Sequence, residues 1–153
     1  MLRVKVAKTL YAHLKSGSDS LKASEKNLVE SIDKAYDLYF QMLSLIVEVA
    51  HYAESRQELA KQKRLPTHED LNPNRRFVDN PIVHLIATSD AVCDHLSHRH
   101  LSWAHSSDAV KGIYNRMIES EYYNSYMSAP ESSFAADRKF VEMFYTTLED
   151  DMA

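Results

Sequence analysis

Glycine is nearly missing from this chain: its 153 residues include two, Gly17 and Gly112. Hairpin turns and β-bulges draw on glycine for backbone conformations that other residues avoid, so a strand-rich fold is disfavoured from the outset. The same scarcity leaves no glycine-rich phosphate cradle and no Gly-x-Ser-x-Gly nucleophile elbow. Cysteine is scarcer still. Cys93 stands alone, which excludes an internal disulfide framework and fits a reducing compartment. No stretch approaches the ~20 apolar residues that span a bilayer. The longest apolar run, 43–50, is broken by Ser44 and Glu48. The first residues carry charge but neither a continuous apolar core nor a small-residue cleavage site, so no secretory signal is expected and the cytoplasm is the expected location.

What is present favours helices. Apolar residues make up 44% of the chain, and one domain over 1–153 is expected to bury roughly 68–70% of its unfolded surface without a disulfide or metal. Leu2, Val6, Leu10 and Leu14 recur every fourth residue and predict a helix over 2–15. The Ser16-Gly17-Ser18-Asp19 stretch ends it and supplies the next N-cap. From Leu21 to Leu65 there is neither glycine nor proline, and Leu28, Ile32, Ala35, Tyr39, Leu43, Ile46, Ala50 and Ala53 keep a helical period. One long helix is expected over about 21–64, straight or bent. Between Tyr39 and Val47 nearly every side is apolar, which predicts burial on more than one face.

The stretch 66–80 reads as a long non-helical connection that pins layers together through Leu71, Phe77 and Val78. Asn80-Pro81 then reads as an N-cap with proline at the first helical position. Ile82–Ala87 and Ala91–His98 follow as two helices or one, continuous through Ser89 and Asp90. Ser107 or Asp108 caps a helix carrying Val110, Ile113, Tyr114, Met117 and Ile118, and Tyr122, Tyr123, Tyr126 and Met127 continue into a short aromatic helix or turn. Pro130 opens a last helix that places Phe134, Val141, Phe144, Tyr145, Leu148 and Met152 on one face. The expected fold is all-α: an irregular bundle of shorter helices packed on the long one.

Charge is uneven. Residues 1–64 carry 11 Lys and Arg against 8 Asp and Glu, whereas 65–153 carry 7 against 14. Residues 1–15 hold Arg3, Lys5, Lys8 and Lys15 with no acid, so an anionic polymer would be drawn to the first half. Lys61, Lys63 and Arg64 close the long helix, where cations complement the helix dipole. Four histidines, His95, His98, His100 and His105, follow Cys93. His95 and His98 are one turn apart, but Cys93 and His100 fall off their face, and the glutamate of a His-Glu-x-x-His zinc helix is replaced by Leu96. The cluster reads as a polar helix face with Cys93 as a small buried hydrophobe. Helically spaced tyrosines read as packing more than as a platform for stacked bases, as does Trp103. Neither a catalytic constellation nor a cofactor or metal site is expected, and no small-molecule substrate.

Two stretches carry a family likeness. Arg3-Val-Lys-Val-Ala-Lys-Thr-Leu-Tyr11-Ala resembles the opening helix of NusB, a transcription antitermination factor. Glu58-Leu-Ala-Lys-Gln-Lys-Arg-Leu-Pro-Thr-His-Glu-Asp-Leu-Asn-Pro-Asn-Arg-Arg-Phe-Val-Asp-Asn80 resembles the long form of that family, in which a helical region of over a hundred residues precedes the NusB core. Leu101-Ser-Trp103, Glu119-Ser-Glu-Tyr-Tyr123 and Glu131-Ser-Ser133 match further along. The resemblance implies an all-helical, non-enzymatic protein that joins a small-subunit ribosomal protein, RNA polymerase and the boxA element of nascent RNA. It places Arg3 in an RNA-contacting start of the first helix, with Lys5 and Lys8 beside it, and Leu10 and Tyr11 at packing positions. That start is reduced here to one arginine, and no NusB core is read within these residues, so the expectation is an amino-terminal helical domain. The alternative is a protein-interaction scaffold that touches no RNA.

Overall fold

In the computed structural model, residues 2–17 and 20–152 are described, with the side chains of 150–152 excepted. The fold is all-α, and no strand occurs among the described residues. In chain order the helices are α1 (Leu2–Ser16), α2 (Leu21–Lys61), α3 (His68–Leu71), α4 (Pro81–Ala87), α5 (Asp90–Arg99), α6 (Ser107–Glu119), α7 (Glu121–Ser128) and α8 (Phe134–Met152), with a 3₁₀ turn at Ala104–Ser106 before α6.

α2 is the spine. Its 41 residues form one unbroken helix, about 60 Å long at 1.5 Å per residue. Ser20 caps it, its hydroxyl accepting from the Ala23 amide at 3.2 Å, so the cap lies just beyond the expected Ser16-Asp19 stretch, of which Ser18 and Asp19 lie outside the described residues. Gly17, at φ +61°, ends α1 in the left-handed region that glycine tolerates best. At the other end α2 stops at Lys61, short of the expected 64. Lys63 donates to Asp70 Oδ1 at 2.8 Å instead of extending the helix, and Pro66 disfavours helical backbone at the residue before it.

Burial divides α2 sharply. Residues 21–39 contribute nothing to the core, whereas Phe40, Leu45, Ile46, Val47, Val49, Ala50 and Ala53 are buried. α4, α5 and α6 pack around this second half, and α8 closes the bundle against α4 and α7. Tyr145 of α8 directs its hydroxyl at the Leu43 carbonyl, 3.0 Å away, and Trp103 donates from Nε1 to the Gln41 carbonyl at 3.0 Å. The tyrosines are core and boundary groups as expected: Tyr126 is buried, and Trp103, Tyr122 and Tyr123 pack against the core. α8 begins at Phe134, beyond the expected opening at Pro130; on it Val141, Phe144 and Leu148 are buried with half-buried Tyr145, but Phe134 is exposed, and the side chain of Met152 lies outside the described residues.

The connection 62–80 is more ordered than a plain loop. Thr67 and Asp70 form a capping box, the Thr67 hydroxyl accepting from the Asp70 amide at 3.1 Å and the Asp70 carboxylate from the Thr67 amide at 2.9 Å. Leu71 is exposed and anchors nothing; Phe77 is the anchor, 1% exposed. The residues beside it tie four elements together. Asn74 donates to the Met127 carbonyl at 2.9 Å and accepts at its own carbonyl from Gln57 at 3.0 Å. Arg75 bridges Glu54 of α2 and Asp79. Arg76 lies over the Tyr126 ring, 4.6 Å from its centre, and donates to the Ala129 and Glu131 carbonyls.

Asn80 completes the brace. Its Oδ1 accepts from the amides of Ile82 and Val83, capping α4, while Nδ2 donates to the Tyr126 hydroxyl at 3.0 Å and the Asp137 carbonyl at 3.4 Å. Tyr126 in turn donates to Asp137 Oδ1 at 2.7 Å. Asp137 is 4% exposed and sits in the first turn of α8, where the helix dipole favours a carboxylate. Burial, reinforced by that carboxylate, pushes the Tyr126 hydroxyl up to about 12. Asn80→Ala removes a cap and leaves the buried Tyr126 oxygen without its donor, so it is expected to cost about 2–4 kcal/mol in urea unfolding, with Tyr126→Phe costing roughly half as much.

Candidate nucleic-acid interface

α1 and the first half of α2 form an antiparallel hairpin that stands clear of the core; none of the described residues of α1 is buried. The two helices meet through polar groups. Lys5 Nζ donates to the Ser31 carbonyl at 2.8 Å and to its hydroxyl at 2.7 Å, and His13 Nδ1 pairs with the Ser24 hydroxyl at 2.8 Å. Lys5, Thr9 and His13 are the half-buried positions of α1. Leu10 and Tyr11, expected at packing positions, are 53% and 65% exposed.

Of the three cations expected at an RNA contact, the structure therefore separates one by task and the others by direction. Lys5 is engaged in holding the hairpin. Arg3 and Lys8 are exposed, but at 100° per residue they point about 140° apart around the helix. Lys8 borders the polar side of the hairpin, with Ala12, Ser16 and Asn27. Lys15, two turns on, lies about 20° from Lys8 on the same side and is also exposed, 5.8 Å from the Tyr11 ring centre. A basic strip thus runs through Lys8 and Lys15, and Arg3 stands outside it. The seven-residue spacing was available in the sequence; what obscured it was reading the cations by proximity along the chain.

The histidines do not converge. His95 Nε2 pairs with Asp37 Oδ1 at 2.9 Å, and its ring stacks on Phe40 with centres 4.2 Å apart. His98 Nδ1 is satisfied by the Asp94 carbonyl at 2.7 Å. No group of three His, Cys, Asp or Glu able to hold a metal occurs among the described residues. Cys93, expected to be buried, is exposed, its thiol 3.4 Å from the Ala87 carbonyl. α5 is short and buries one residue, Val92, so the neighbouring position turns outward.

Asp37 is the electrostatic centre of this region. The Arg99 guanidinium, donating from Nε to Oδ1 at 2.8 Å, holds its carboxyl below the ordinary 3.8, with His95 adding to the effect against partial desolvation. Comparisons with family models, with curated proteins and with solved structures find no match to this chain. No helix among the described residues is long and apolar enough to cross a membrane.

A carboxylate with a depressed folded-state pKa stabilises the fold above its unfolded value, and that share is lost as pH falls through the folded value. The melting temperature is therefore expected to carry an Asp37 contribution that fades below about pH 4. In Arg99→Ala the Asp37 carboxyl resonance should titrate closer to its ordinary value, and the acid-side slope should flatten. An unshifted resonance would show that Arg99 does not hold the carboxylate in solution.

Proposed function

We propose that this chain is the amino-terminal helical domain of a NusB-like antitermination factor, contributing to an assembly of RNA, a ribosomal protein and RNA polymerase without catalysing a reaction. The observation that carries the reading is the residue pattern from Leu59 to Asn80 and its likeness to the long form of that family. The acid-free surface of α1 supports it. Lys8 and Lys15 reach solvent on one side, Arg3 on another, and no acidic residue of α1 competes with a phosphate for them. Each phosphate neutralised on a single strand steepens the salt dependence of binding by about 0.7 in log–log slope.

The second reading, a scaffold that contacts only proteins, is favoured by the apolar side chains that α1 and α2 leave exposed. Titration with boxA-type and scrambled RNA at two salt concentrations separates the two. The antitermination reading expects boxA-type RNA to bind more tightly, with a salt slope that falls by about 0.7 in Lys8→Ala and again in Lys15→Ala. Absence of binding to either RNA, with retention of a protein partner after nuclease treatment, overturns RNA contact by this chain and leaves the scaffold.

A further inference from the structure

The hairpin has two unlike sides. Lys8, Ala12, Ser16, Ala23 and Asn27 line one; Val6, Leu10, Leu21 and Leu28 line the other. The apolar side continues through Leu2, Leu14, Val29 and Tyr36 and carries two charges, Glu25 in its groove and Arg3 within about 20° of Leu10 and Leu14. Leu2, Leu10, Leu14, Leu21, Val29 and Tyr36 are each between 51% and 79% exposed. These side chains leave on the order of 800 Å² of apolar surface open, above the few hundred Å² common on monomers and equal to one partner's share of a standard interface.

We propose that two copies of this chain pair through this face, their hairpins packed antiparallel about a two-fold axis. Two features select a second copy over an unrelated partner. The first is charge. Lys22, Val29 and Asp33 fall on one stripe of α2, since seven and eleven residues bring the helix back to within about 20° of its starting direction. Lys22 and Asp33 are exposed and flank the apolar residues. A two-fold axis at the level of residues 27 and 28 sets Lys22 of each copy opposite Asp33 of the other, so one stripe is complementary to itself. An isologous interface demands that property, with residue i meeting j while j meets i.

The second is room. Antiparallel hairpins place the two cores at opposite ends, whereas a parallel pairing would press α5, which packs beside α2 at Asp37 and Phe40, against its own copy. Pairing converts each two-helix hairpin into half of a four-helix arrangement, the usual way for a helix with an apolar stripe to bury it.

Sedimentation equilibrium on the whole chain, from about 1 to 100 µM, tests the pairing across the range that brackets a moderate dimer. The expected result is twice the chain's mass at the upper concentrations. Leu10→Glu with Leu14→Glu should give the monomer mass with unchanged helical content by circular dichroism, because neither side chain is buried in the monomer. Leu65→Glu, in the loop after α2 and 86% exposed, should leave the dimer intact. Lys22→Glu and Asp33→Lys should each weaken association at least several-fold, and the double exchange should restore it. A monomer mass throughout the range overturns the proposal. So does a dimer that survives the leucine substitutions, or one whose charge exchange fails to rescue. These outcomes are read without RNA and leave the proposed antitermination role to its own test.

Discussion

The side chain of Asn80 is the constraint on which the bundle depends. A primary amide has one acceptor and one donor end, and here both are used across long stretches of chain: the acceptor closes the first turn of α4, and the donor reaches Tyr126 of α7 and Asp137 of α8. In a site with 0% exposure an amide left half-paired would cost more than its bonds contribute, so the position of α4 fixes those of α7 and α8 and the reverse. The pairing also sets a hierarchy. Tyr126 cannot both accept from Asn80 and donate to Asp137 unless α7 lies between the loop and α8, and that places the ring of Tyr126 against Phe140, 4.4 Å between centres, and beneath Arg76. Apolar packing supplies most of the free energy, but it is indifferent to small rotations of one helix over another. The amide, hydroxyl and carboxylate are not.

Against that well-specified end, the hairpin end of the molecule follows a different logic. α2 runs unbroken from one to the other, and its first half fully buries no residue, being held by helix propensity, by the contacts of α1 and by the pairing of Asp37 with α5. Isolated helices of this composition are marginal in water, and most helical stability in proteins comes from covering an apolar face. α1 covers α2 through Lys5, Ser31, His13 and Ser24 rather than through its leucines. The arrangement joins polar pairs to half-buried Leu28 where the two helices touch and leaves most leucines of α1 outside. Such a surface is stable as an interface and poorly stable as an exterior.

Much of the architecture was legible in the residues. Scarcity of glycine and the three-and-four spacing located α1, α2, α6 and most of α8 but left α4 and α5 as one helix or two and α7 as a helix or a turn, and Asn80-Pro81 announced α4 because a cap and an N1 proline are local chemistry. The joint at Phe77 was legible only as one of three apolar residues in a polar stretch, and nothing in the residues separated it from Leu71, which is exposed. What could not be read was direction. The period of α1 showed that Leu2, Val6, Leu10 and Leu14 share a face, but not that the face turns away from α2; that depends on Lys5 meeting Ser31, a contact between residues 26 apart. Cys93 misled similarly, since a small apolar residue beside a buried valine is equally at home on either flank of a short helix. The one-turn α3 escaped because four residues carry no period, although Thr67 and Asp70 spelled its capping box. For the candidate interface, the sequence offered Arg3, Lys5 and Lys8 as neighbours, and only the helix direction separates them and joins Lys8 to Lys15 instead.

The two-sided hairpin also decides how the proposed activities relate. Pairing through Leu10 and Leu21 covers the apolar side and leaves Lys8 and Lys15 facing out, because those lysines lie beyond the polar contact of α1 with α2. Although Arg3 lies on the pairing side, self-association does not compete with an anionic polymer for these two lysines. It multiplies them instead, since a two-fold axis presents two basic strips where one chain presents a single pair. The acidic second half of the sequence opposes RNA most strongly when it lies close to the strip, and an antiparallel pairing carries both acidic cores away to the two ends. The apolar side and the basic strip are thus separate surfaces of one hairpin, and covering the first leaves the second open to solvent.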